Sequence, residues 1–344
     1  MDLMSGFLTA HPHMSMDLPF ISSLDQTQFF ARVPALDTVH DKLASFIDAV
    51  PSLANSRKIK DNLAQQIFPW LKQPYAFGQT IGALVADLPA ASMFPLFDIW
   101  RLAILEPTIA RATLTPFVKV LASTSETVSS SPRATLLTLL RLATNALGTV
   151  SLSRSLLLPA GAHDARAALT SVLVQMLLHQ DRLVRVAAAS LAFNVGAWVQ
   201  RSRVARIKGE DAGDGIRADE EDGEWEVELV SAVAEALAGE EESEDAGELY
   251  RFLCSPGDHD HGQREINSLT EPTFFFDLVH RLTATLAFLI RLSPFYEDQL
   301  VPLLSVLQVG ETLKGKLADD GKLKVRKKEI RALVGEVADR LCSV

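Results

Sequence analysis

Apolar residues recur along this chain at helical spacing, and no strand pattern of comparable quality accompanies them. The clearest stretch is residues 181–199. There Val184, Ala187, Ala188, Leu191, Val195 and Trp198 draw one continuous stripe down a helix, and Asp181 stands where a side-chain cap belongs. The same period predicts helices over residues 25–32, 37–49, 57–68, 94–105, 132–148, 164–178, 224–237, 270–291, 295–309 and 322–341. Pro34, Pro51, Pro69, Pro107 and Pro294 punctuate the series. Only His179 and Gln180 separate the 164–178 helix from Asp181, so these two helices should be antiparallel neighbours.

One short core repeats. Leu191-Ala192-Phe193-Asn194 has counterparts in Leu102-Ala103-Ile104-Leu105, Leu142-Ala143-Thr144-Asn145 and Leu286-Ala287-Phe288-Leu289. The Val-Arg-x-Ala-Ala-x-x-Leu order from Val184 to Leu191 resembles the inner helix of HEAT and armadillo repeats, where alanines let helices stack closely. Units that cannot bury their apolar face alone do so by stacking, which predicts an all-α, armadillo/HEAT-like α-solenoid of about six helical repeats. Residues 1–23 read as a leader or linker and residues 24–344 as the solenoid, interrupted by an acidic, disordered insertion at 208–248.

Charge sharpens that division. Hydrophobic residues make up 48% and aromatics 7%, a Leu/Ala-rich balance suited to stacked helices. The net charge of −10 argues against a nucleic-acid partner. Residues 210–248, however, hold 17 acidic residues and one basic one, Arg217; the remainder is at +6, with 32 basic residues against 26 acidic ones. The helical body is mildly basic, so an acidic partner is admitted. Within the insertion, residues 208–223 and 240–248 read as loosely held loops and 224–237 as a helix. Two cysteines without a pairing pattern fit a reducing compartment. Residues 1–15 lack a secretory pattern, and no apolar run approaches the ~20 residues that span a bilayer. A cytoplasmic and/or nuclear protein without a membrane partner is expected.

Motifs for catalysis are poor. Cys254, His259 and His261 are the one metal-like cluster, but a zinc site needs three or four ligands held by structure, and these sit in a Gly/Pro-containing loop with no second cysteine pair. They read as a polar loop, so no metal and no cofactor is expected. Walker-type GxxxxGK[ST], GxGxxG and HExxH patterns are absent. A thiol enzyme using Cys254 has no nucleophile-bearing turn or oxyanion glycines to support it, and the chain reads as no enzyme.

What stands out is polar residues on otherwise apolar inner helices: Arg141, Asn145, Asn194 and Arg281. Each asparagine either satisfies a backbone carbonyl of a neighbouring repeat or reads the backbone of an extended peptide in a groove. Arginines beside them would supply bidentate contacts to carboxylates.

The chain resembles the PUL domain family, the C-terminal module of phospholipase-activating protein and its yeast counterparts in ubiquitin homeostasis. Phe94-Pro95 with Asp98-Ile99-Trp100-Arg101-Leu102 resembles that family's Phe-Pro-x-x-Asp-x-x-Arg-Leu helix, and Leu140 to Asn145 its Leu-Arg-x-x-x-Asn segment. Ala188 to Val195 and Arg281 to Ile290 are similar to two further helices, so the likeness runs over residues 18–309. Phe288 replaces a small residue, and the acidic insertion is not a general family feature. The resemblance implies an armadillo-like, non-catalytic peptide-binding adaptor. Its implied partner is the acidic C-terminal tail of the valosin-containing AAA ATPase, in ubiquitin-dependent turnover. Arg101, Arg141, Asn145, Asn194 and Arg281 are then the candidate groove residues. Two alternatives remain: a general HEAT/armadillo scaffold, or the C-terminal part of a protein with thiol-peptidase and thioredoxin-like domains.

Overall fold

In the computed structural model, which describes residues 18–22, 24, 27–54, 59, 74–159, 165–210, 216–217, 220–240, 273–318 and 328–342, every regular element is helical. In chain order the α-helices are α1 (Pro19–Ser22), α2 (Leu36–Asp48), α3 (Pro51–Ala54), α4 (Pro74–Asp87), α5 (Phe94–Ala103), α6 (Pro107–Ser125), α7 (Arg133–Ala146), α8 (Val150–Leu157) and α9 (Ala165–Leu177). They continue with α10 (Arg182–Ile207), α11 (Gly223–Gly239), α12 (Thr273–Ile290), α13 (Val301–Val306), α14 (Val309–Leu317) and α15 (Lys328–Arg340). The fold is an all-α solenoid. Two units divide it: Gln26–Gln180 with Ala205–Glu221, and Met1–Asp25 with Asp181–Val204 and Asp222–Val344.

In the first unit α5 packs on α2 and α7, and α6 packs on α4 and α9. Phe97, Trp100 and Ile104 share a face of α5, and all three are buried. The Trp100 indole N–H donates to Thr113 Oγ1 at 3.1 Å and its ring meets Phe117 edge-on at 5.9 Å, so the large side chain is anchored at its polar end too. Pro107, expected to end a run, instead opens α6, where a proline at the first helical position sacrifices no bond and Glu106 caps the turn. Pro116 in mid-helix cannot donate to the carbonyl of Ala112. Gly78 of α4 lies against that carbonyl: a Cβ there would be 2.6 Å from the Ala112 oxygen.

In the second unit α10 is the core. It is long and apolar enough to cross a membrane by length and composition, more so than its scattered charges suggest. Its apolar window is, however, 94% buried inside the protein. Asp181 does cap it, accepting from the Leu183 N–H at 2.8 Å. Gly196 lets α10 approach α12: a Cβ there would lie 3.1 Å from that of Phe288, whose ring meets Phe193 edge-on at 5.3 Å. Leu18 and Ile21 of the expected leader are buried, and the Ile21 N–H donates to Glu336 at 3.0 Å.

Two expectations need correction. The acidic insertion is described at 208–210, 216–217 and 220–240; the first three residues are exposed, and from 216 on the described chain is built into the fold. Leu229, Val230, Val233 and Leu237 of α11 are buried, as are Ile216 and Glu240, because an apolar stripe at helical spacing outweighs acids that meet arginines. Residues 27–32, expected to be helical, are not; nor are 33–35. Helices α4, α6, α8 and α14 went unforeseen, as did the one-turn α1 and α3. The helix expected over 57–68 lies outside the described residues except at Ile59, as does the first part of the 322–341 helix.

Candidate peptide-binding site

Helix α7 places Arg141, Asn145 and, just past its end, Gly148 at steps of four and three, so the three share one face. Across that face runs segment 27–35, which has no regular secondary structure and is here called the strap. Pro34 biases the residue before it away from helix, and the strap's backbone groups are taken by side chains instead. Asn145, fully buried, accepts from the Phe30 N–H at 2.7 Å and donates to the Phe30 carbonyl at 3.1 Å and the Arg101 carbonyl at 2.7 Å. Its amide thus pairs with both the N–H and the carbonyl of one backbone residue, and that backbone is this chain's own. Arg101, buried on α5, is oriented by Asp98 at 2.5 Å and donates to the carbonyls of Phe30 at 2.5 Å and Arg32 at 2.9 Å. Phe29 rests on Gly148, where a Cβ would come within 2.2 Å of the ring. Its outer half is exposed.

Arg141 differs from its neighbours. Its guanidinium lies over the Phe30 ring, 5.7 Å from the centroid, in cation–π contact. Among the described residues it has no hydrogen-bond partner. Burial holds its pKa below the usual guanidinium value, and the positive charge of Arg101 pushes the same way against the weaker pull of Asp98. Two arginines therefore face one carboxylate here. Five N–H donors on Arg141 are available to an anion.

Asn194 and Arg281 belong to the second unit. Asn194 is buried on α10, and Arg281 donates to Ser190, one turn earlier on that helix, at 2.5 Å. The five candidates therefore form two groups, Arg101, Arg141 and Asn145 around the strap and Asn194 with Arg281 on α10 and α12. Sequence reasoning named Phe29, Phe30 and Gly148 nowhere among the site residues, and it quoted Asp98 only as part of a motif. The Phe-Phe pair shortly before Pro34 was the one local signal for the strap aromatics. It also missed the second unit's buried ion pairs. Arg203 donates to Glu226 at 2.6 Å and to the Leu289 carbonyl at 2.6 Å, and Arg185 pairs with Glu240.

Among the described residues no cluster of His, Cys, Asp and Glu is arranged to hold a metal; Cys254, His259 and His261 lie outside them. Cys342 is buried, and burial pushes its thiol up to about 12, far from a reactive thiolate.

The family profile of the PUL domain matches residues 26–258. The chain belongs to the PUL domain family. PUL domains are protein-interaction modules, so the strap site lies in a domain whose role is binding. The match begins at the edge of the strap and takes in Arg101, Arg141, Asn145 and Asn194 together with the acidic insertion; Arg281 falls beyond it. No curated protein matches this PUL protein.

Proposed function

We propose that this PUL protein is a non-catalytic adaptor that binds the acidic C-terminal tail of the valosin-containing AAA ATPase, in the cytoplasm or nucleus, in ubiquitin-dependent turnover. The observation that carries the reading is Arg141: a half-buried guanidinium stacked on Phe30, beside a second arginine, with no hydrogen-bond acceptor among the described residues. A carboxylate placed there gains charge-assisted, bidentate bonds. Membership of a protein-interaction family supports the class of function.

Fluorescence anisotropy of a labelled tail peptide, at low and high salt, tests it. Binding should be saturable and weaken with salt. Arg141→Glu should reduce affinity by about 10- to 100-fold, the equivalent of one or two charge-assisted hydrogen bonds. Circular dichroism and the melting transition should be nearly unchanged. Equal affinity in the variant sinks the proposal. A second reading, a general helical scaffold with structural asparagines, draws on Asn145, whose amide is spent on this chain's own backbone.

A further inference from the structure

Resting on that reading, we infer that the strap is a permanent wall of the receptor that an incoming peptide leaves in place. An extended acidic peptide puts one carboxylate on Arg141 and one apolar side chain on the outward face of Phe29, while Asn145 and Arg101 stay bound to the strap.

Three observations lead there. First, displacing the strap would strip Asn145, fully buried, of two of its three bonds and Arg101, 5% exposed, of two carbonyls. Each buried group left without its partner bears the full desolvation penalty of that group. A peptide offering the same backbone groups in return would break even on contacts alone. It would then compete against a segment tethered beside the site, whose effective concentration is on the order of millimolar. Micromolar peptide loses that competition. Second, the groups the strap leaves open are complementary to an acidic chain: the unshared donors of Arg141 and the half of Phe29, 50% exposed, that does not rest on Gly148. Third, the spacing is set by one helix. Gly148 lies seven residues beyond Arg141 and just past the end of α7, so at the helical rise the two are about 10 Å apart, which an extended peptide covers in about three residues. The ligand class is therefore an acidic peptide with a large apolar side chain about three positions from its anchoring carboxylate.

The test uses the full chain and the same labelled tail peptide, with amide hydrogen exchange at Phe30 as a second readout. Native protein should bind with the Phe30 amide slow to exchange both free and saturated with peptide. Phe29→Ala should weaken binding about tenfold, Phe29→Leu should restore most of it, and Gly148→Ala, which pushes the ring off its seat, should weaken it as well. Exposure of the Phe30 amide on peptide binding overturns the inference, and so does unchanged or tighter binding by Phe29→Ala; the function proposed above survives both. Absence of binding by the native chain at any salt concentration overturns both together.

Discussion

Two arginine sites, one in each unit, are buried on stacked helices in opposite ways. In the second unit the counter-charge is built in: Arg203 meets Glu226 with both side chains almost fully buried, and Arg185 meets Glu240. In the first unit two arginines share one carboxylate, Asp98, and Arg101 spends most of its donors on the carbonyls of the strap. Carbonyl dipoles satisfy donors without cancelling a charge. An arginine closed by a carboxylate is therefore part of the scaffold, whereas a pair held largely by carbonyls and an aromatic face keeps a formal charge for a partner.

Breaking the second unit's pair should give the largest effect. Glu226→Ala leaves Arg203 buried without its anion, and urea denaturation should show a loss of about 3–5 kcal/mol. Replacing both residues by apolar ones of similar volume should recover most of it. A loss below 1 kcal/mol in the single variant would mean that the pair is not closed as described, and the contrast between the units would collapse.

The matching change in the first unit is Asn145→Ala. It opens three bonds to neutral backbone groups, two of them on the strap, and should cost about 1–3 kcal/mol. The Phe30 amide should then exchange at the rate of an unprotected chain. Stability loss with protection retained would show that Arg101 alone holds the strap.

Alkaline titration probes the second unit without mutation. Tyr296 donates to the Leu341 carbonyl at 2.8 Å, and its phenol is pushed up to about 12, chiefly by burial, then by Cys342 and Glu297. Burial lifts the Cys342 thiol to about 12 as well. Both folded values lie above the ordinary 10 and 9, so the stability they contribute is complete below about pH 9 and is lost as pH rises toward 12. The denaturation midpoint should fall across that window, less steeply in Tyr296→Phe. A flat profile would place Tyr296 in water.

The smallest effect expected is a gain. Gln308 is exposed at the start of α14 with φ of 52°, a left-handed conformation that costs a side-chain-bearing residue about 1 kcal/mol. Gln308→Gly should raise stability by up to that amount, and a loss would mean that the glutamine side chain makes a compensating bond.

Helices α5, α7, α9 and α12 were legible within a few residues of their ends, and so was the start of α10 with its Asp181 cap, although α10 runs on to Ile207, eight residues past its expected end. The short α8 and α14 were not, nor was α4, whose Gly78 and Gly82 read against a helix. Pro107 and Pro116 hid α6, since a proline reads as a break unless its place in the first turn, or a neighbour's glycine, is known. Arg101, Arg141 and Asn145 were found as polar exceptions on apolar faces, which the pattern does record. Their partners in the strap were not found, because nothing near residue 30 announces an amide 115 positions away.

Periodicity encodes what one helix gains by hiding one face, an energy set within a few turns of chain, and so it carried the all-α class and the candidate polar residues. Whether a buried arginine is neutralised or left open depends on which distant group supplies the last acceptor. Packing alone gave a carboxylate to Arg203, two strap carbonyls to Arg101, and the face of Phe30 to Arg141.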